Sequence, residues 1–284
     1  MSPERVGVIG GGLMGSGIAK VFARAGSMVV VHEIDASAAE AARARIDASL
    51  AKAVDRGKLD ASSRDQALAN IQISIDISDQ ADRQLVIEAA TENEALKRQV
   101  FADLDAVVTD PEAIFASNTS SIPITRLASV TGRPDHVVGL HFFNPVPVMA
   151  LVELVTTVMT APEVAAKARS YAEGLGKTVI EAKDRAGFIV NMLLVPYLLG
   201  GIKMLEAGFA TREDIDAGMR LGANHPMGPL ELSDFVGLDT MKLIADVLFD
   251  EFKDPMYASP PLLTRLVEAG LLGRKTGRGF YEYG

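Results

Sequence analysis

Two polar residues interrupt two short apolar runs: His141 lies within Val137 to Phe143 and Glu153 within Leu151 to Val155, with a Pro-rich turn between them. A polar group inside so apolar a run needs a partner or costs stability. If the two strands lie side by side, each of these residues supplies the other. A carboxylate on one ring nitrogen fixes the tautomer and favours the imidazolium, leaving the second nitrogen to take a proton from a substrate. The alternative is a core histidine beside an unrelated surface glutamate, and the pair alone does not decide between them.

A second constellation sits at the start of the chain. Arg5 to Ile9 reads as a buried strand, and Gly10-Gly11-Gly12-Leu13-Met14-Gly15 follows it directly, opening a helical pattern through Val21, Phe22 and Ala25. Gly10, Gly12 and Gly15 form G-x-G-x-x-G: glycine for the tight turn, for close approach of a pyrophosphate, and for packing helix on strand. Leu13 and Met14 belong to the first helical turn, whose free N–H groups face the phosphates. The next strand, Ser27 to Glu33, ends in an acid 23 residues after Gly10. Glu33 there accepts hydrogen bonds from both ribose hydroxyls and repels a 2′-phosphate, so the expected cofactor is NAD rather than NADP. A purely structural glycine turn, with Glu33 capping a loop, is the competing explanation.

The elements that must position these groups alternate. After Glu33, Ala36 to Lys58 and Ser62 to Ala69 read as helices, an excursion longer than a minimal nucleotide-binding unit needs and able to form a helical hairpin. Ser49, Lys52 and Arg56 fall about one turn apart on one face of it, where they could meet a phosphate. Ile71 to Ile77 and Leu85 to Ala90 read as strands, Asn93 to Val107 as a helix, and Ala113 to Ser117 as a strand that delivers Asn118 to Ser121 to its carboxyl end. Ligands of open α/β sheets bind outside those ends. Ser120 or Ser121 is therefore placed either to hydrogen-bond a ligand or to cap a helix from Ile122 to Val130. Pro162 to Leu175 reads as a helix and Lys177 to Ala182 as a last strand.

From Gly187 onward the patterns are helical, with no convincing strand before Gly279: Phe188 to Ala207, Arg212 to Leu221, Gly228 to Phe235, Leu238 to Phe252 and Pro261 to Ala269. The predicted architecture is an α/β domain of Rossmann type over residues 1–185, carrying the helical excursion, followed by an all-α domain over 186–284. Pro196 and Gly200-Gly201 inside the first of these helices predict a kink or a close helix approach. Asn191 is a polar residue in an apolar helix and is placed to reach a substrate carbonyl. Gly273 to Gly279 sets Arg274, Lys275 and Arg278 among glycines, either as a mobile tail or as a contact for phosphate or cofactor.

Composition bounds the function. Of 284 residues, 48% are hydrophobic and 23% charged, as in globular proteins, and the net charge of −9 argues against general binding of nucleic acid or anionic membrane. No apolar run reaches bilayer length. The absence of cysteine excludes disulfides, thiolate metal sites and a cysteine nucleophile, and no metal site is expected. The start, Met1-Ser2-Pro3-Glu4-Arg5, has no signal-peptide pattern, which favours the cytoplasm.

Taken together, six ordered blocks make the chain resemble the L-3-hydroxyacyl-CoA dehydrogenases, closest to the bacterial short-chain members acting on 3-hydroxybutyryl-CoA. They are Gly10 to Ile18, Ala116 to Ser121, Gly139 to Pro145, Gly187 to Asn191, Asn224 to Pro229 and Lys275 to Tyr281. The resemblance implies His141 as catalytic base with Glu153 as its carboxylate, flanked by Ser120 and Asn191. It implies cofactor contacts at Glu33, Glu92, Lys97, Ser120, Asn144 and Lys275, and coenzyme A contacts at Ser49 and Arg56. Arg56 stands where some relatives have lysine, and Glu33 where Asp is more usual. Dehydrogenases of other 3-hydroxy acids use a lysine four residues before the interdomain asparagine; here that position is Gly187. A relative acting on a free 3-hydroxy acid or sugar acid stays open, as does a non-catalytic nucleotide-binding protein, although all four of Ser120, His141, Glu153 and Asn191 are present. His225, in an Asn-His-Pro loop, is a competing histidine. The apolar helices of the second domain predict a homodimer through that domain.

Overall fold

The computed structural model describes residues 3–284; Met1 and Ser2, from the opening segment read above, lie outside the described residues. The chain forms two compact units, Met1–Arg185 and Ala186–Gly284. No helix among the described residues is long and apolar enough to cross a membrane.

The first unit is built on eight strands: β1 (Arg5–Ile9), β2 (Met28–His32), β3 (Ile71–Ser74), β4 (Leu85–Glu88), β5 (Ile114–Ser117), β6 (Val137–Phe142), β7 (Leu151–Thr156) and β8 (Thr178–Lys183). Their order across the sheet is β3-β2-β1-β4-β5-β6-β7-β8. Strands β1 to β6 pair in parallel, β7 runs antiparallel to β6, and β8 follows β7 in parallel. The order reverses between β1 and β4, so the carboxyl ends of those two strands border the crevice where such sheets bind ligands. Strands β4, β5 and β6 are buried along their whole length, as continuous apolar runs require when both faces are covered.

Helices α1 (Leu13–Arg24), α2 (Ala36–Asp55), α3 (Ala61–Ala69), α4 (Glu94–Val107), α5 (Ile124–Ala128) and α6 (Pro162–Gly174) complete this unit. The excursion between β2 and β3 is α2 and α3. Only Ala42, Ile46 and Leu50 of α2 and Ala67 of α3 are buried, so each helix packs one narrow stripe and leaves the rest in water. Among the elements shorter than predicted are β3 and α5. Strand β3 stops at Ser74 because the Asp76 carboxylate accepts the Ser78 N–H and turns the chain. Helix α5 starts at Ile124, after Pro123, and neither Ser120 nor Ser121 caps it; Asp184, sixty residues away, accepts the N–H groups of Ile124 and Thr125, each at 2.7 Å.

The second unit contains α7 (Val190–Glu206), α8 (Arg212–Ala217), α9 (Pro229–Val236), α10 (Leu238–Phe252) and α11 (Pro261–Glu268), packed around Leu198, Leu199, Ile202, Leu230, Met241, Ala245, Leu248 and Leu263. Helix α7 begins two residues later than the pattern predicts, because Gly187 and Phe188 both have positive φ and cannot continue a helix backwards. Gly201 is the close approach: a Cβ there would lie 2.8 Å from Pro229. The run after α8 widens into a π turn, Gly218–Gly222. The glycine-rich segment from Gly273 is anchored, not a loose tail. Asp234, buried, accepts the N–H groups of Phe280 and Tyr281 at 2.9 Å and the Tyr283 hydroxyl at 3.0 Å.

Candidate active site

The β6–β7 pairing settles the first question raised by the sequence. His141 and Glu153 are register partners across the antiparallel pair, so their side chains leave the sheet on the same face. His141 Nδ1 lies 2.7 Å from Glu153 Oε2. Glu153 is 0% exposed and His141 6%, so the contact is made in a dry setting where a lone charge would be expensive. The Phe143 ring packs on the imidazole at 4.5 Å. The end of β6 is held by Asn118, whose Oδ1 accepts the Phe142 N–H at 2.9 Å. Glycine is required at 139, since a Cβ there would meet Val155 at 2.8 Å.

The loop after β5 is organised by a buried ionic network. Glu88, at the end of β4, accepts the Lys97 ammonium at 2.6 Å, the Ala90 N–H at 2.7 Å and the Ser117 hydroxyl at 2.6 Å. Lys97 also lies 3.3 Å from Glu92 and donates to the Ala90 carbonyl at 3.1 Å, so its three N–H bonds are all used. Glu92 in turn accepts from the Thr119 hydroxyl, from the Ser121 hydroxyl at 2.9 Å and from the Ser120 N–H at 3.3 Å. Burial pushes the Glu92 carboxyl up, but the Lys97 charge and the bonds from Thr119 and Ser121 outweigh it and leave it below the usual carboxylate range. Thr119 and Ser121 are thus spent on structure. Ser120 lies half-buried between them, its backbone held by Glu92. Lys97, for which the resemblance implies a cofactor contact, is a buried cation lying between Glu88 and Glu92.

At the head of α1 the glycines act as the motif demands. Gly10 has φ of +92°, a Cβ on Gly15 would stand 1.7 Å from the Gly10 carbonyl oxygen, and a Cβ on Gly12 would meet nothing within 4 Å. Gly12 is the N-cap and supplies no side-chain cap, so the first turn, with the exposed Leu13 and the half-buried Met14, keeps N–H groups for an anion. Glu33 Oε1 accepts the Gly11 N–H at 2.6 Å. Arg45, on α2, donates to the Gly11 carbonyl at 2.6 Å from the other side.

The remaining expected residues are placed as follows. Ser49, on α2, accepts a hydrogen bond from the Lys20 ammonium of α1. Arg56 is the exposed C-cap of α2, and Asn144 is exposed in the loop after β6. Asn191 is buried in the first turn of α7. Lys275 Nζ is held by both oxygens of Asp239, at 2.5 and 2.6 Å. His225, the competing histidine, pairs with the Tyr197 hydroxyl at 3.1 Å.

Residues 5–185 match the sequence profile of the 3-hydroxyacyl-CoA dehydrogenase NAD binding domain, and residues 187–283 that of the 3-hydroxyacyl-CoA dehydrogenase C-terminal domain. The chain belongs to the 3-hydroxyacyl-CoA dehydrogenase family. It is 58% identical over 281 residues to a Mycobacterium tuberculosis 3-hydroxybutyryl-CoA dehydrogenase, covering 99% of this chain and 98% of that protein. The crystal structure of M. tuberculosis FadB2 superposes with a TM-score of 0.98 at 57% identity, each chain fully covered. That of the Ralstonia eutropha (S)-3-hydroxybutyryl-CoA dehydrogenase PaaH1 does so at 0.94 and 45%, again with full coverage of both.

A 3-hydroxyacyl-CoA dehydrogenase uses NAD, and the residues present fit it. The open space at Gly12 and the uncapped first turn of α1 suit a pyrophosphate, and Glu33 keeps a second oxygen, Oε2, whose one hydrogen bond is a long 3.4 Å contact with the Ile34 N–H. Sequence reading missed Glu88, Thr119, Arg45 and Lys20. Glu88 carried the same signal as Glu33, an acid ending an apolar strand. The other three had none, because their roles come from residues distant in the chain.

Proposed function

We propose that this enzyme interconverts short-chain L-3-hydroxyacyl-CoA, above all 3-hydroxybutyryl-CoA, and the matching 3-ketoacyl-CoA. The observation that carries the reading is the 2.7 Å contact between His141 Nδ1 and Glu153 Oε2. Glu153 holds the ring with Nδ1 protonated and Nε2 as the basic atom. In the oxidative direction Nε2 takes the proton of the 3-hydroxyl as the C3–H bond breaks. Bound NAD supplies the hydride acceptor, its nicotinamide ring. The positive charge arising on His141 is offset by Glu153, and in the reductive direction the same proton returns to the substrate oxygen.

Ser120, whose backbone Glu92 holds while Thr119 and Ser121 carry the structural bonds, is assigned to the reacting oxygen. Asn191 is assigned to the acyl carbonyls. Gly10, Gly12, Leu13, Met14, Gly15, Glu33, Glu92, Asn144 and Lys275 are assigned to the cofactor, with Lys97 acting through Glu92; Ser49 and Arg56 are assigned to the coenzyme A. For Asn191, Asn144, Lys275 and Arg56 the support is the family resemblance of their motifs. The exposed Leu193, Phe209 and Leu221 support a homodimer through the second unit, which light scattering would reveal. A cytoplasmic location is assigned on the family resemblance alone, and cell fractionation tests it.

The test is NADH oxidation with acetoacetyl-CoA and with free acetoacetate. His141→Gln should lose about 10²- to 10⁴-fold in kcat with NADH binding retained, and Glu153→Gln should displace the pH–rate profile. An unchanged kcat for His141→Gln removes the base assignment. Equal turnover of free acetoacetate favours the free-acid reading.

A further inference from the structure

The Gly11 peptide at the head of α1 is held at both its polar ends, and two of the groups that hold it carry opposite charge. Its N–H donates to Glu33 Oε1 at 2.6 Å, and its carbonyl accepts from the Ser16 hydroxyl and from Arg45 Nη1, each at 2.6 Å. Packing brings Arg45 there. Ala42, fully buried on α2, lies so near the turn that a Cβ on Gly11 would stand 2.5 Å from its methyl. Arg45 follows about one turn later on the same helix face, so its guanidinium reaches over Gly11. Arg45 is exposed, and it makes no other hydrogen bond and no ion pair among the described residues. Most of its N–H donors are therefore uncommitted.

A bare strut would not need that charge, because the Ser16 hydroxyl already satisfies the Gly11 carbonyl. A dinucleotide does. It brings an anionic diphosphate to a turn whose helical residues, Leu13 to Ser16, include no cation. The acid that suits the ribose, Glu33, sits on the same peptide with a charge that repels the diphosphate. Helix-terminal N–H groups carry only partial charge. A guanidinium tethered to the Gly11 carbonyl offsets the carboxylate and leaves those N–H groups to act on the phosphates.

We propose that Arg45 is a binding determinant for the cofactor's diphosphate, supplying from α2 the positive charge that the glycine turn lacks. The inference rests on the reading of Gly10 to Gly15 as the diphosphate site. Gly11 and Ala42 fix where the guanidinium stands; its charge does the binding.

The experiment is calorimetric binding of NADH, ADP and adenosine to wild type, Arg45→Met, Arg45→Gln and Arg45→Lys, at low and high salt. Arg45→Met should weaken NADH and ADP about tenfold at low salt, with a smaller difference at high salt. Adenosine, which has no phosphate, should bind all four proteins alike. Arg45→Gln keeps a donor for the Gly11 carbonyl without the charge and should behave as Arg45→Met. Arg45→Lys should recover most of the affinity and its salt dependence. In turnover the loss should appear in the KM for NADH, with kcat kept within about twofold.

Full affinity in Arg45→Gln, or an equal loss for adenosine, would make Arg45 a strut and overturn the proposal, as would unchanged NADH affinity in Arg45→Met. Turnover of acetoacetyl-CoA by wild type is scored separately. Turnover with no Arg45 effect sinks this inference alone. Arg45-dependent NADH binding without turnover sinks the catalytic reading and leaves the inference standing.

Discussion

Lys97 and Lys20 are both buried in the first unit, and they are accommodated in opposite ways. Lys97 is 1% exposed and sits between two carboxylates, Glu88 and Glu92, with a backbone carbonyl taking its third donor. Lys20 has a hydroxyl, Ser49, and one cationic neighbour, Arg24. The first arrangement is closed, and every group in it is satisfied by the protein itself. Its product is a fixed loop, with Glu92 gripping Thr119, Ser120 and Ser121. The second arrangement leaves the ammonium without a carboxylate among the described residues. Burial alone therefore does not tell a neutralised lysine from an uncompensated one; the identity of the partners does.

Stability measurements can break or sharpen that contrast. The largest effect is expected for Lys97→Met, which leaves the fully buried Glu88 carboxylate without its cation. A loss of about 3–5 kcal/mol follows for removing one partner of a buried pair, or a melting point lower by roughly 10 °C for a unit of this size. A change below about 1 kcal/mol would mean that the network is not closed in solution.

The next effect is a dependence on pH. The folded Glu92 carboxyl lies below its ordinary value near 4.5. Its contribution is fully present above that value and is lost as pH falls through the depressed one. The difference in urea midpoint between wild type and Glu92→Gln should then shrink as the solution is acidified below about 4.5. A gap that stays constant would remove the claim. The smallest effect is expected for Lys20→Met, where relief of an uncompensated charge offsets the lost hydrogen bond and stability changes by less than about 1 kcal/mol or rises. A loss as large as that of Lys97→Met would make Lys20 structural and erase the contrast.

The His141–Glu153 pair was legible early because a cross-strand contact is encoded locally. Two apolar runs with a Pro-rich turn between them make a hairpin, and each run carries one polar residue that has to be satisfied. The glycine fingerprint was legible for the same reason, its strand, turn and helix being contiguous. Ser120 was legible as a residue at a strand end; of the two uses the sequence leaves open for the serines there, capping the next helix is taken instead by a carboxylate from Asp184. Lys97 was legible as a site residue but its partner was not, because nothing in its own helix announces Glu88.

What the sequence determined by itself is therefore what short-range geometry enforces: the order of strands and helices, the nucleotide-binding turn, the acid at the end of β2, and the histidine and glutamate brought level by one hairpin. Tertiary structure alone decided which charges are neutralised and which are not. The strand order places β4 beside both β1 and β5, and only that placement brings Glu88 to Ser117. Likewise α1 and α2 must pack before Lys20 meets Ser49 and no carboxylate. Charge pairing depends on distance in space and on the water excluded around it, and neither is carried by position along the chain.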